Sequence, residues 1–215
     1  MPTPALTASE RPLAGWFGKL PALGDFASRR LPSAWVEAWD AWLQQELVRA
    51  RAAGDEAAWL SQYLVAPVRR FWLAPGLLGA DAWLGVLMPS VDSVGRYFPF
   101  TLTTPLPAGH DDVVDALADA PWLDAAEALS RQVLDPEFDV AALEQALPDL
   151  PALHGDRRTE ANAEAQVAQQ LREAQTRLRS VWWCEGAAVA GDYIVADGLP
   201  CDATFDALLR GGASD

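Results

Sequence analysis

Residues 15 to 43 read Gly15-Trp-Phe-Gly-Lys-Leu-Pro-Ala-Leu-Gly-Asp-Phe-Ala-Ser-Arg-Arg-Leu-Pro-Ser-Ala-Trp-Val-Glu-Ala-Trp-Asp-Ala-Trp-Leu43. An aromatic run from Ala14 to Gly18, ended by glycine, predicts an inner strand that neighbours approach closely. A loop then runs to Leu31, pinned by Gly18, Pro21 and Gly24 and carrying Lys19, Asp25, Arg29 and Arg30. Core building does not need charges crowded around a turn, so the loop is a candidate presenting surface. Pro32 fits a first helical turn, and the helix is expected to continue to about Ala53, where Gly54-Asp55 stops it. On a helical wheel Trp35, Val36, Trp39, Trp42, Leu43 and Leu47 share an arc of roughly 140°, a face wide enough to pack on a sheet. Glu46 falls inside that arc, either snorkelling at its rim or buried and held by an arginine.

Further along, Asp55 to Tyr63 reads as one or two more helical turns, and Val68 to Leu73 as a strand between Pro67 and Pro75. Ala82 to Met88 is an almost unbroken apolar run, the mark of a strand covered on both faces. Pro89 to Gly95 connects it to a return strand expected from Arg96 to Thr104, giving a hairpin with a long, irregular tip. Pro99 then marks a bulge or an edge in that strand. Helical spacing returns between Asp111 and Ala146, broken at Pro121 and Pro136, and a more polar helix is expected over Arg158 to Arg179. Ser180 to Glu185 is again strand-like, and Phe205 to Leu209 predicts a closing helix capped by Gly211. The domain assignment is a frayed start at 1–13, one domain over 14–210 and a tail at 211–215.

The chain has 215 residues, 51% of them hydrophobic and 21% charged, which suits a soluble globular domain with no need of a disulfide. No apolar run reaches the roughly 20 residues of a membrane span, and the start lacks the features of a signal peptide, so a cytoplasmic location is expected. The net charge of −14 argues against nucleic acid or an anionic membrane as the main partner. Eleven acidic residues against Arg131 alone lie between Gly109 and Asp149, as a solvated pair of helices or as an acidic docking face. Lys19 is the single lysine, and the ten tryptophans are expected mainly in the core.

A phosphate loop would need a glycine at position 13 and Ser or Thr at position 20, where this chain has Leu13 and Leu20. No Gly-x-Ser-x-Gly elbow is present, and His110 and His154 lie in stretches that read as surface. Cys184 and Cys201 fit no zinc spacing with those histidines and read as reduced, structural thiols. No cofactor is expected. A carboxylate pair remains, because Asp25 and Asp92 both sit in glycine-flanked loops that could converge beside Lys19 and Arg96 for acid–base work. Alternatively Asp25 accepts amides in its own loop and Asp92 pairs with Arg96 across the hairpin tip.

With both segments in view, Gly15 to Phe26 with Arg29-Arg30-Leu31-Pro32, and Met88-Pro-Ser-Val-Asp-Ser-Val-Gly-Arg-Tyr-Phe-Pro-Phe-Thr101, the chain resembles the TagF (ImpM) family of type VI secretion proteins. The stretches Trp35 to Leu43, Ala66 to Phe71, Ser180 to Trp183 and Phe205 to Leu209 are similar to it as well. The chain departs from the family at Ser93, where an arginine is common, although Arg96 supplies a cation three residues on. The resemblance implies a three-layer α/β fold related to longin domains, with a mainly antiparallel sheet between helices. It also implies a non-enzymatic, post-translational repressor of secretion that binds a forkhead-associated-domain scaffold protein, with a kinase and a phosphatase acting on the same switch. Lys19, Asp25, Arg29, Arg30, Asp92 and Arg96 are the candidate residues for partner binding or for fastening the loop. Two other functions stay open, an enzyme or nucleotide sensor using Lys19, Asp25, Asp92 and Arg96, and a structural subunit of the secretion apparatus.

Overall fold

The structure is a computed structural model, and it describes residues 13–107, 112–153, 179–185 and 193–210. Among the described residues, seven strands form one antiparallel sheet: β1 (Gly15–Gly18), β2 (Ala27–Arg29), β3 (Arg69–Leu73), β4 (Trp83–Met88), β5 (Phe100–Pro105), β6 (Arg179–Trp183) and β7 (Ile194–Asp197). Their spatial order is β2-β1-β5-β4-β3-β6-β7. Helices α1 (Ser33–Ala52), α2 (Glu56–Leu64) and α6 (Asp202–Leu208) serve one face, and α3 (Val113–Ala118), α4 (Ala120–Gln132) and α5 (Val140–Ala146) the other. This is the antiparallel sheet between helical layers that the resemblance implies.

Strand alternation divides the apolar residues between two cores. Trp16, Trp72, Leu84, Val86, Phe100 and Trp183 face α3–α5, in company with Leu123, Ala126, Leu129 and Leu143. Phe17, Phe71, Leu73, Trp83, Leu87 and Trp182 face α1, whose Trp35, Trp39 and Leu43 are fully buried. The α1 core is a continuous aromatic lattice, in which Trp39 lies 4.9 Å from Trp35, 5.2 Å from Phe71 and 6.0 Å from Trp182. The Trp39 indole also donates to Thr101 Oγ1 at 2.9 Å, so the helix is tied to the sheet by a polar contact within the apolar face. Gly85 makes room for this packing, because a Cβ there would lie 2.5 Å from the Phe71 ring.

Several expectations change. The loop before α1 contains a strand, Ala27–Arg29, paired with Trp16–Gly18. The return strand starts at Phe100, not Arg96, because the Asp92 side chain claims the amides of Val94 and Arg96. Pro99 therefore stands just ahead of the strand, which suits a residue without an N–H, since β5 is paired on both sides. Pro32 caps α1 instead of entering its first turn, and the edge strand β7 has no counterpart in the sequence reading. Glu46 is buried and takes the second of its two readings: Arg49 Nε donates to it at 2.8 Å, as does the Asp202 amide at 3.0 Å. The expected helix over 158–179 lies outside the described residues, apart from Arg179, which opens β6, as do His110, His154 and Gly211. Both cysteines are free thiols.

Candidate functional site

The sheet end where β1 leaves the fold and the β4–β5 hairpin turns is built around one carboxylate. Gly18 has φ +135, and a Cβ on it would meet the Pro99 carbonyl oxygen at 2.2 Å, so only glycine lets β1 pass the hairpin at this distance. The chain then places Lys19 beside Asp92, with Nζ 3.0 Å from Oδ2 and both side chains buried. Arg96 Nε donates to the same oxygen at 2.7 Å, while Oδ1 accepts the amides of Arg96 at 2.8 Å and Val94 at 3.1 Å. Burial alone would raise the Asp92 carboxyl, but the Arg96 amide, the Lys19 ammonium and the Arg96 guanidinium outweigh it and hold the group well below the usual carboxylate range.

Loop and tip are joined by further bonds. Ser93 N donates to Leu23 O at 3.0 Å, Arg96 Nη2 to Gly24 O at 2.6 Å, and Ser90 Oγ to Lys19 O at 2.7 Å. From α2, the Tyr63 hydroxyl donates to Ser90 O at 3.0 Å, and burial pushes its pKa up. Above this frame the Phe26 ring lies 4.7 Å from Phe98 and 4.8 Å from Lys19 Nζ. Phe26 is nevertheless 42% exposed and Val94 at the hairpin tip 69%. Two apolar side chains thus stand in water on a backbone that is fixed from beneath.

The other sequence candidates separate from this centre. Asp25 is exposed and accepts the Phe26 amide at 2.8 Å, within its own loop, and shares no partner with Asp92. The structure therefore assembles Lys19, Asp92 and Arg96 but adds no second carboxylate to them, and the Asp92 oxygens already hold four donors. Arg29 turns to the opposite face, its guanidinium 5.8 Å from the Trp16 ring. Arg30 has a left-handed backbone, φ 56, and grips Glu144 of α5 through two bonds of 2.6 and 2.9 Å while its Nε donates to Ala14 O. Glu144 also accepts from the Trp16 indole at 2.7 Å, and Arg30 foremost holds its carboxyl below the ordinary value.

Buried charges at Arg69, Arg70 and Glu127 escaped the sequence reading. Arg70 donates to Glu127 at 2.9 Å and to Asp124 at 2.7 Å, and Arg131 bonds the other oxygen of Glu127, which fastens α4 to the sheet. Arg69 has no carboxylate partner among the described residues. It donates to Leu208 O at 2.8 Å, to Ala207 O at 2.9 Å and to Arg210 O, capping the end of α6, and burial lowers its pKa. The signal was the pair Arg69-Arg70 inside an apolar strand, where alternation sends one arginine to each face. Part of the acidic stretch is thereby accounted for, since Asp124, Glu127 and Glu144 hold arginines and Asp139 caps α5. Among the described residues, no group of His, Cys, Asp and Glu is arranged to hold a metal ion, and no helix is long and apolar enough to cross a membrane.

Comparison with known proteins gives two matches of consequence. The family model of the TagF N-terminal domain, type VI secretion system-associated, matches residues 15–150. A crystal structure of PA0076 from Pseudomonas aeruginosa PAO1 is 36% identical, with a TM-score of 0.74, over 94% of this chain and 96% of that one. No curated protein matches the chain.

Proposed function

From the premise that this chain belongs to the TagF family of type VI secretion-associated proteins, we propose that it is a cytoplasmic, non-enzymatic repressor of secretion. In this reading it acts after translation by binding a forkhead-associated-domain scaffold protein and withholding it from assembly. The observation that carries the proposal is the fastened loop and hairpin tip, with Phe26 and Val94 exposed above the buried Lys19–Asp92–Arg96 cluster. A backbone already immobilised costs little ordering entropy on binding, and an aromatic anchor beside an arginine is the composition of interface hot spots. Lys19 and Asp92 fasten this surface, and Phe26, Val94 and Arg96 meet the partner.

The test is capture of the scaffold protein from the same bacterium by the purified chain. Phe26→Ala combined with Val94→Asp is expected to weaken capture at least about tenfold, by removal of a hot-spot pair, while melting changes little. In cells the same variant should release secretion to the level of a gene deletion. Undiminished capture by the double variant would discard this surface. A deletion that leaves a silent apparatus silent would discard the repressor reading itself.

A further inference from the structure

The β4–β5 ladder ends at the pair Met88–Phe100, and the residues beyond it, Pro89 and Pro99, have no N–H with which to extend it. The ladder therefore does not place the hairpin tip that carries Val94 and Arg96. Pairing resumes past the prolines, where Phe98 N donates to Ser90 O at 3.1 Å and Val91 pairs with Tyr97. The Ser90 amide turns to α2 instead, donating to the Tyr63 hydroxyl at 3.1 Å, and the same hydroxyl donates to Ser90 O at 3.0 Å. Ser90 Oγ donates to Lys19 O at 2.7 Å, so every polar atom of this buried residue is engaged. Tyr63 is itself held, buried with its ring stacked on Trp59 at 5.2 Å and edge-on to Tyr97 at 5.9 Å.

One phenol thus bonds both main-chain polar groups of the residue at which α2, the loop and the tip meet. The Asp92 bonds shape the tip, and the bonds to Leu23 and Gly24 join it to the loop, but neither set fixes the tip against a helix. The Tyr63–Ser90 bonds do, through a side chain that belongs to the core on the α1 face. We infer that Tyr63 is a positioning residue for the docking surface: through Ser90 it holds Val94 and Phe26 in one arrangement, and so sets how long a bound partner stays. The consequence for binding rests on the proposal that this surface meets a partner, whereas the placement of the tip does not. A surface ordered before encounter has less freedom to lose, and loosening it shows chiefly in the dissociation rate.

Amide hydrogen exchange of the whole chain without a partner is the first test. Tyr63→Phe keeps the ring against Trp59 and Tyr97 but leaves the buried Ser90 amide unsatisfied, and the amides of Val94, Arg96 and Phe98 are expected to exchange roughly tenfold faster. Ser90→Ala loses only the bond to Lys19 O, keeps the Tyr63 clamp and should have a smaller effect. Leu129→Ala, in the core on the other face of the sheet, lowers overall stability away from this end and should leave tip exchange near the parent rate. The second test is release of captured scaffold protein. Tyr63→Phe should raise the dissociation rate roughly tenfold and Leu129→Ala should not, while adding Tyr63→Phe to the Phe26→Ala, Val94→Asp double variant should cost little more. The inference is overturned if the tip of Tyr63→Phe exchanges no faster than that of Leu129→Ala, if dissociation is unchanged while the tip exchanges faster, or if the effect adds in full to that of the double variant. A parent chain that captures no scaffold protein discards the secretion reading alone, and the exchange rates then decide whether Tyr63 places the tip.

Discussion

The loop between β1 and α1 is held at both ends by an ion pair, and the two ends are built differently. At its start Lys19 and Asp92 are almost fully buried, with side-chain exposures of 6% and 0%. At its finish Arg30 and Glu144 are open to water by 29% and 32%. Desolvation decides what each is worth. A buried pair contributes little net stability against an apolar replacement, yet breaking it is costly because the orphaned charge stays in the interior. A half-exposed pair loses little when broken, since water replaces the missing partner. The first anchor is therefore obligatory for the local fold, and the second is adjustable.

Asp92→Ala should break this asymmetry most visibly. It strands Lys19 and two amides, and a loss of about 3–5 kcal/mol is expected in urea unfolding at neutral pH. The sign with pH follows from the depressed carboxyl of Asp92 in the folded state. Its contribution is fully present above the unfolded value near pH 4 and is lost as pH falls toward the folded one. The gap between parent and variant should accordingly narrow below about pH 4. Glu144→Gln tests the other end and should cost about 1 kcal/mol, because the amide keeps an acceptor for Trp16 while the charge-assisted fork is lost. Arg30→Gly should change stability least of the three. It relieves a left-handed residue of strain while deleting the same fork, so the two effects oppose each other within about 1 kcal/mol. Urea midpoints measured side by side would order the three.

Elements with their own apolar period were readable from the sequence. Trp35, Trp39 and Leu43 declare α1, and the run through Val86 declares β4 as covered on both faces. The elements that were missed owe their existence to a neighbour. Ala27-Ser28-Arg29 has no strand pattern and is extended because it pairs with Trp16 to Gly18. Ile194 to Asp197 is half-exposed on the edge, where burial imposes no alternation. The start of β5 shifted because one side chain, Asp92, outcompeted the ladder for two amides. The same limit governs the site. Asp92 and Arg96 lie four positions apart and were legible as a pair, whereas Arg30 with Glu144 and Arg70 with Glu127 meet only after the sheet has brought distant segments together.

The strand order has a kinetic side. β1 with β2, and β3 with β4 and β5, close through short connections, while β1 meets β5 across most of a hundred residues, as in the Gly15–Thr103 register. Two locally closed pieces must find each other before that seam can zip, a requirement that places the domain among the slower-folding topologies. Lys19 and Asp92 stand on opposite sides of the seam. Their contact is a record that the two halves have met in the right register.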